Sequence, residues 1–438
     1  MKKAAATNEQ PPLASPVTPA EKNKGPIRQF FALLGPGLIT GAADDDPSGI
    51  VTYSIAGAQS GTTLLWTAFI TWPLMASCQM MCARIGLVSG GGLAAALRQK
   101  FPRWLLYPAA LSLFVANTIN ISADLSGMAD VTRLVLGGNS GLFILMFGLA
   151  IIYVTIRFSY TAIASILKWL ALFLFSYVIT AFLAHPHWPT ILHATLIPTW
   201  PHSHGQWETL VGLLGTTISP YLFFWQASQE IEEEKTKGHA TKVSRFGAPD
   251  RELRNRTIDV GIGTFFSNFI MYFIILTAAL TLHAHGITNL TSSQDAVGAL
   301  RPLAGNLSAL LYTVGLIGVG FLAIPTLAGS SAYAFSETFG WRQGLNQKLH
   351  RARAFYGVLI SSMIVGMALC FTHVSPIDAL FLTAVINGVL APFLLVGILL
   401  VACDRTIMQG QPSSWLARGA VALTTLGMFG AAAALFLL

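Results

Sequence analysis

Long apolar runs alternate with short polar gaps along most of the chain. The runs have about the length that an α-helix needs to cross the hydrocarbon core of a bilayer, roughly 20 residues. We therefore predict eleven membrane-spanning helices. They lie at 30–59, 62–88, 104–130, 141–157, 160–184, 207–230, 257–282, 307–335, 354–373, 376–402 and 415–437.

The composition excludes an ordinary water-soluble fold. Of the 438 residues, 53% are hydrophobic and only 10% are charged, whereas soluble domains carry about 25% charged residues. The predicted fold class is therefore an all-α membrane protein whose surface contacts the lipid bilayer. Residues 1–29 are polar and lack the apolar core of a signal peptide, so we expect a disordered cytoplasmic tail there.

The basic residues predict the orientation of the chain in a cell membrane. Lys and Arg are concentrated in the gaps after the even-numbered spans, whereas the gap 184–206 has none and the gap 283–306 has only Arg301. The positive-inside rule then places the N-terminus in the cytoplasm and the C-terminus outside. The net charge of +7 is part of this signal, and no module typical of nucleic-acid binding accompanies it.

The first span contains three consecutive aspartates at 44–46. A carboxylate at bilayer depth costs several kcal/mol unless it is paired, protonated or hydrated, so it is a functional candidate. Pro47 removes a backbone donor and disfavours helical geometry at Asp46, and Gly49 is expected to loosen the turn further. We therefore predict a broken helix here.

Such a break would place backbone carbonyls near Ala43 beside a carboxylate, a combination that hard cations prefer. The alternative is that the aspartates lie at a helix end in water. The apolar stretch resumes at Ile50, which favours the functional interpretation.

A second proline break is predicted in the sixth span, at Ser219-Pro220, which follow Thr216 and Thr217. Taken alone, this pattern fits an ordinary proline kink. Together, breaks in spans one and six predict two five-helix halves, 30–184 and 207–402, followed by an extra C-terminal helix at 415–437. Inverted repeats of this kind bind their substrate near the midplane.

At these residues the chain resembles the natural resistance-associated macrophage protein (Nramp) family of divalent-metal transporters. GPG at 35–37, Asp46-Pro47 and AGAQSG at 56–61 are similar to the family's first helix. The resemblance covers the chain from Gly35 to about span ten. It implies a LeuT-like fold and a secondary transporter, with the metal ion as substrate, no cofactor and no obligate protein partner.

The departures from the family motifs concern the metal ligands. The family's Asp-Pro-Gly-Asn is Asp-Pro-Ser-Gly at 46–49, and its Met-Pro-His is Ser-Pro-Tyr at 219–221. In the family, the aspartate, asparagine and methionine bind Mn²⁺ or Fe²⁺. Losing the soft thioether and the asparagine implies a wider, harder site for partly hydrated Mg²⁺, with Mn²⁺ also accepted. This is similar to the Nramp-related magnesium-transporter branch.

The departures also concern protons. Tyr221 replaces the family's histidine and carries no exchangeable proton near neutral pH. Of the family's acidic pair on helix three, Asp124 aligns with the second member and Ile121 with the first, which favours uncoupled transport. Alternatively, Asp124 is structural and pairs with Arg133 or hydrogen-bonds Asn120.

The candidate residues fall into two groups. Asn268 and Asn387 fit either the ion pathway or hydrogen bonding between helices. The candidate metal ligands are Asp46, Gly49, Ser219, Thr216 and Ala43, and the candidate pathway residues are Asp44, Asp45, Thr217, Tyr221, Asp124, Asn268 and Asn387.

Two further polar segments have open roles. The gap 184–206 holds five histidines and is predicted to be a surface loop, with metal collection as the alternative. The glutamates at 230–234 are predicted to form a solvated helix end, with attraction of cations as the alternative.

Three alternative functions have to be weighed against the same residues. A proton-coupled Mn²⁺/Fe²⁺ symporter fits the family but not the lost ligands. An amino-acid carrier fits the fold, but the aspartates at 44–46 would repel a carboxylate. A membrane-embedded hydrolase needs aspartates on facing helices, and no HExxH or GxSxG motif occurs in suitable context.

Overall fold

The structure is a computed structural model that describes residues 36–158, 172–372 and 374–437. Every regular element in these ranges is helical. The α-helices are α1 (Pro36–Asp44), α2 (Pro47–Ser60), α3 (Leu65–Ser89), α4 (Leu93–Lys100), α5 (Arg103–Leu136), α6 (Ser140–Arg157), α7 (Phe175–Leu183), α8 (Trp188–Leu196), α9 (His204–Thr217), α10 (Pro220–Thr236), α11 (Asp250–Thr281), α12 (Ser293–Gly298), α13 (Arg301–Ala304), α14 (Ser308–Phe339), α15 (Arg353–Leu369), α16 (Pro376–Ala402) and α17 (Trp415–Leu437).

The predicted spans correspond to these helices, although not one to one. In the described ranges, six single helices are long and apolar enough to cross a membrane, or seven crossings if α3 and α4, bent by 76°, form one. The other predicted spans fail that test for identifiable reasons. Spans one and six are each divided into two shorter helices, α15 has only 17 residues, and span five lies partly outside the described residues.

The all-α membrane class and the breaks in spans one and six are therefore confirmed. The division into repeats at 30–184 and 207–402 stays a prediction. The predicted tail at 1–29 lies outside the described residues.

The first break occurs because Asp46 leaves the helix and caps the next one. Its backbone is extended, with φ −69° and ψ 171°, and its Oδ1 accepts a hydrogen bond from the Gly49 amide at 2.7 Å. Pro47 occupies the first position of α2, where a missing N–H costs nothing. The prediction that Gly49 loosens the turn is wrong, because Gly49 lies inside the first turn of α2 and donates to its cap.

The second break has a different local mechanism. Ser219 is extended, with φ −75° and ψ 131°, and Pro220 begins α10. The Ser219 hydroxyl does not cap α10 but donates back to the carbonyls of Gly215 at 3.0 Å and Thr216 at 2.5 Å. It thereby satisfies carbonyls that the end of α9 would otherwise leave unpaired.

Close helix crossings position both breaks. α11 packs along α1, α2 and α3, α14 packs along α5, and α9 packs along α16 and α2. Small residues permit these contacts, as is usual between membrane helices. A Cβ added at Gly215 would lie 2.0 Å from the carbonyl oxygen of Ala384 on α16, and one added at Gly57 would lie 2.2 Å from that of Ile275 on α11.

We expect Gly215→Ala to lower the free energy of unfolding by about 1–3 kcal/mol, because the new methyl group meets backbone that cannot yield easily. The matched control is Gly427→Ala on α17, where an added Cβ has no atom within 4 Å. The control should leave stability unchanged or raise it by up to about 1 kcal/mol. Thermal unfolding in detergent measures both, and equal midpoints for the two variants would contradict the packing described.

Candidate metal-ion site

Asp46 lies in the gap between α1 and α2, with 2% of its surface exposed. Its Oδ1 accepts hydrogen bonds from Ser48 Oγ at 2.8 Å and from the Gly49 amide at 2.7 Å, and its Oδ2 accepts one from Asn120 Nδ2 at 2.9 Å. These three donors stabilise a buried carboxylate. None of them carries a formal charge, and Asp46 makes no ion pair with another described residue.

Gly49 lies where the two broken helices approach each other. An added Cβ at Gly49 would be 3.0 Å from Thr216 Oγ1, 3.4 Å from Asp46 Oδ1 and 3.5 Å from the carbonyl oxygen of Asp44. Three oxygen atoms from α1, the first break and α9 therefore surround one small space. A Cβ at this position would be in tight contact with Thr216 Oγ1, so glycine is the residue that lets these oxygen atoms lie so close together.

The carbonyl of Ala43, predicted to be a metal ligand, already has one partner. It accepts a hydrogen bond from the Tyr221 hydroxyl at 3.0 Å, which joins the end of α1 to the start of α10. A carbonyl oxygen has two lone pairs, so one remains for an ion or a water molecule. Tyr221 therefore connects the two broken helices, a role that the sequence did not indicate.

The hydroxyls of Ser219 and Thr217 each donate to another group of the protein. The Ser219 proton is used by the carbonyls at the end of α9, which leaves only the lone pairs of its hydroxyl oxygen for other contacts. The Thr217 hydroxyl contacts Met271 Sδ on α11 at 3.5 Å. The structure thus brings Asp46, Gly49 and Thr216 together and does not add Thr217 to them.

Asp44 and Asp45 form a separate pair that faces α11. Both are buried, and both approach the Ser267 hydroxyl, at 2.6 Å from Asp44 Oδ2 and 3.3 Å from Asp45 Oδ1. Asp44 Oδ1 is buried and has no hydrogen-bond partner within the described ranges. The alternative that the aspartates lie at a helix end in water is therefore wrong.

The opposite side of Asp46 is formed by α5. Asn120 and Asp124 are one turn apart and both buried. Asp124 interacts electrostatically with Asp46 and faces the Ser48 amide. Neither Asp124 oxygen makes a hydrogen bond of good geometry to another described residue.

Neither partner considered under the structural alternative for Asp124 pairs with it in the described residues. Arg133 pairs with Asp130 at 2.8 Å, and Asn120 donates to Asp46. The sequence analysis missed Asn120 as a partner of Asp46. Its spacing of four residues from Asp124, which puts both on one helix face, is the signal that would have found it.

Asn268 and Asn387 differ in their hydrogen bonding. The Oδ1 of Asn268 accepts from Thr71 on α3 at 2.8 Å, and its Nδ2 donates to the Thr264 carbonyl at 3.0 Å. These bonds fit the alternative of hydrogen bonding between helices. Asn387 on α16 is buried, and its Oδ1 lacks a hydrogen-bond partner in the described part of the chain, so its place on the pathway stays a prediction.

The glutamates at 230–234 do not form a solvated helix end. Glu230, Glu232 and Glu234 are buried, and Arg256 on α11 anchors the first of them. The sequence analysis missed this pairing because the arginine lies on another helix. Arg256 nitrogens lie 2.7 Å from Glu230, 2.6 Å from Glu233 and 2.8 Å from Asp259.

This ion network also joins the broken helices at one end of the bundle. Asp259 Oδ2 accepts a hydrogen bond from the Gly37 amide at 2.8 Å. The start of α1 is thus connected through α11 to the end of α10. Removal of Arg256 would leave three carboxylates without their shared cation.

The histidine-rich segment 184–206, predicted to be a surface loop, is partly helical. Trp188–Leu196 form the helix α8, so the loop prediction is wrong there, and His187 Nδ1 hydrogen-bonds Thr190 Oγ1 at 2.8 Å. No group of three or more His, Cys, Asp or Glu side chains in the described ranges is arranged to hold a metal ion. This applies to the aspartates at 44–46 as well, so an ion at Asp46 would depend on carbonyls, hydroxyls and water for its other ligands.

Two broken helices that meet around a buried carboxylate define a multi-pass membrane transporter of the LeuT-like fold. The sequence profile described as natural resistance-associated macrophage protein-like (Nramp) matches residues 37–438. The chain therefore belongs to the Nramp family, and the predicted resemblance is confirmed.

The chain is also similar to individual proteins, in sequence to one and in fold to two. The divalent metal cation transporter MntH of Yersinia pestis (strain Pestoides F) is 26% identical over 318 residues, 70% of this chain and 74% of that protein. The crystal structure of the Eremococcus coleocola manganese transporter, in complex with an aromatic bis-isothiourea compound, has a TM-score of 0.72 at 18% identity, covering 94% of this chain and 88% of that one. The nucleobase-cation-symport-1 family transporter Mhp1 has a TM-score of 0.53 at 17% identity, covering 92% and 91%.

Proposed function

We propose that this protein is a secondary transporter that moves divalent metal cations across the membrane and binds them at Asp46. The observation that carries the proposal is the Asp46 carboxylate, which is buried at the junction of two broken helices and hydrogen-bonded only to neutral groups among the described residues. A cation is the ligand that such a charge requires. The name of the Yersinia relative, a divalent metal cation transporter, supports the same substrate class.

Partly hydrated Mg²⁺ is the ion that the site chemistry supports best, with Mn²⁺ also carried. The space beside Gly49 is bounded by oxygen atoms of Thr216, Asp46 and Asp44. Ser219 supplies no thioether, so the site has no soft ligand that would favour transition metals. Mg²⁺ keeps several of its waters when bound, so it needs few direct protein ligands.

We further propose that transport is not coupled to protons. Tyr221 stands at the family's histidine position, and its hydroxyl is engaged by the Ala43 carbonyl. Ile121, at the first position of the family's acidic pair, is buried against Gly366 on α15. The orientation that we propose, with the N-terminus in the cytoplasm and the C-terminus outside, follows from the basic gaps in the sequence.

The second candidate is a proton-coupled Mn²⁺ symporter. The name of the Eremococcus structure, a manganese transporter, favours this function. Asp124 also favours it, because a buried carboxylate close to Asp46 without a good hydrogen bond is able to hold a proton. An amino-acid carrier is disfavoured because the buried aspartates at 44–46 would repel the substrate carboxylate.

Uptake into proteoliposomes tests the proposal. Mg²⁺ and Mn²⁺ indicators and a pH dye are enclosed in vesicles that hold wild type, Asp46→Ala or the control Asp378→Ala, whose carboxylate is exposed. We expect saturable Mg²⁺ entry without acidification in wild type and in the control. Asp46→Ala should reduce entry at least about tenfold, because the proposed site loses the carboxylate among its candidate ligands.

Unchanged Mg²⁺ entry in Asp46→Ala would contradict the assignment of Asp46 as the binding site. Mn²⁺ entry with acidification and without Mg²⁺ entry would instead establish the second candidate.

Restoring the family's ligands should change the ion selectivity. In the double variant Gly49→Asn, Ser219→Met, the asparagine fills the space beside Thr216 and the thioether adds a soft ligand. We expect the ratio of Mg²⁺ to Mn²⁺ uptake to fall about tenfold. Ser219→Ala, which removes the hydroxyl without adding a ligand, is the control and should keep the wild-type ratio. An unchanged ratio in the double variant would contradict the role assigned to these positions.

A further inference from the structure

A cavity of about 340 Å³ lies away from the Asp46 site, where the end of α3 meets the starts of α11 and α17. One part of its wall is apolar and includes Met80, Leu87 and Leu253. The other part is polar and includes Arg84 and Ser413. A cavity with both kinds of wall suits an amphipathic ligand.

The rim of the cavity is held in place by hydrogen bonds. The Gln411 side chain donates to the Ala248 carbonyl at 3.2 Å and accepts from the Ala248 amide at 3.1 Å. The Gly247 amide donates to the Val88 carbonyl at 3.0 Å. The segment that precedes α11 is thus hydrogen-bonded on one side to the segment that precedes α17. On the other side it is hydrogen-bonded to the end of α3.

Arg84 is the cation in this cavity that has unused hydrogen-bonding capacity. It is half-buried, and its Nη2 donates to the carbonyls of Gln411 at 3.2 Å and Pro412 at 3.4 Å. The Arg84 Nε is buried and has no hydrogen-bond partner among the described residues. Arg84 also makes no ion pair with these residues, although the charge of Asp250 is close enough to attract it electrostatically. Arg256 lines the same cavity, but the carboxylates of α10 and α11 engage its guanidinium.

Ser413 adds a second unused polar atom. The residue is 2% exposed, and its hydroxyl has no hydrogen-bond partner in the part of the chain that the structure describes. A buried donor without a partner costs free energy unless a ligand or water satisfies it. Arg84 and Ser413, each with a buried polar atom that has no partner among the described residues, both line this cavity.

We propose that this cavity binds the phosphate group of an anionic phospholipid. The phosphate oxygens accept hydrogen bonds from Arg84 and Ser413, and the start of an acyl chain covers Met80, Leu87 and Leu253. Basic pockets between membrane helices bind anionic headgroups in this way. The cavity lies beside the basic gap between α10 and α11, so the lipid comes from the leaflet on that side.

Native mass spectrometry of the delipidated full chain tests this site. Phosphatidylglycerol and phosphatidylcholine with the same acyl chains are titrated into wild type, Arg84→Gln and the control Arg254→Gln. Arg254 is exposed on α11 and does not line the cavity. We expect wild type and the control to retain phosphatidylglycerol in preference to phosphatidylcholine, and Arg84→Gln to bind it about tenfold more weakly.

Inorganic phosphate separates a lipid site from a simple anion site. Phosphate at the same concentration should not displace phosphatidylglycerol, because it cannot cover the apolar wall. Displacement at equal concentration would overturn the lipid assignment, as would equal phosphatidylglycerol binding by Arg84→Gln and wild type.

A second variant keeps the test independent of folding defects in Arg84→Gln. Ala417→Leu narrows the cavity from α17 without changing any charge. It should also weaken phosphatidylglycerol binding. Wild-type affinity in this variant, with a thermal midpoint equal to that of wild type, would overturn the proposal.

Discussion

The Asp46 carboxylate is the group on which the arrangement of the two broken helices depends. It ends one helix and caps the next, so the backbone can leave helical geometry at bilayer depth without losing its hydrogen bonds. The same carboxylate accepts a hydrogen bond from Asn120 on α5, which fixes the break against a long continuous helix. All three donors to this carboxylate are neutral, so it has no cationic partner among the described residues.

The surrounding contacts keep this junction closely packed. Tyr221 joins the ends of α1 and α10 through the Ala43 carbonyl, and α9 approaches α16 closely at Gly215. The network around Arg256 connects the other end of α1 to α10 and α11. The halves of the broken helices are thus attached to their neighbours at both ends, and the space beside Gly49 is bounded by oxygen atoms from three segments.

Local signals predicted the fold and both helix breaks well. A proline after Asp46 and another after Ser219 sufficed to predict both breaks, because proline acts on its own neighbours. Partners distant in sequence were not predictable in this way. Arg256 lies 26 residues after Glu230, and Asn120 lies 74 residues after Asp46. The direction of a hydroxyl, such as that of Ser219 toward α9, depends on backbone geometry that the residue types do not specify.

Locating the ion tests the central claim most directly. Crystals grown with Mn²⁺ as a scattering substitute for Mg²⁺ would show the ion by its anomalous signal. The account predicts one peak on the Gly49 side of Asp46, about 2–5 Å from its carboxylate, a range that includes both direct and water-bridged binding. A peak only between Asp44 and Asp45, or no peak in this region at saturating Mn²⁺, would contradict it.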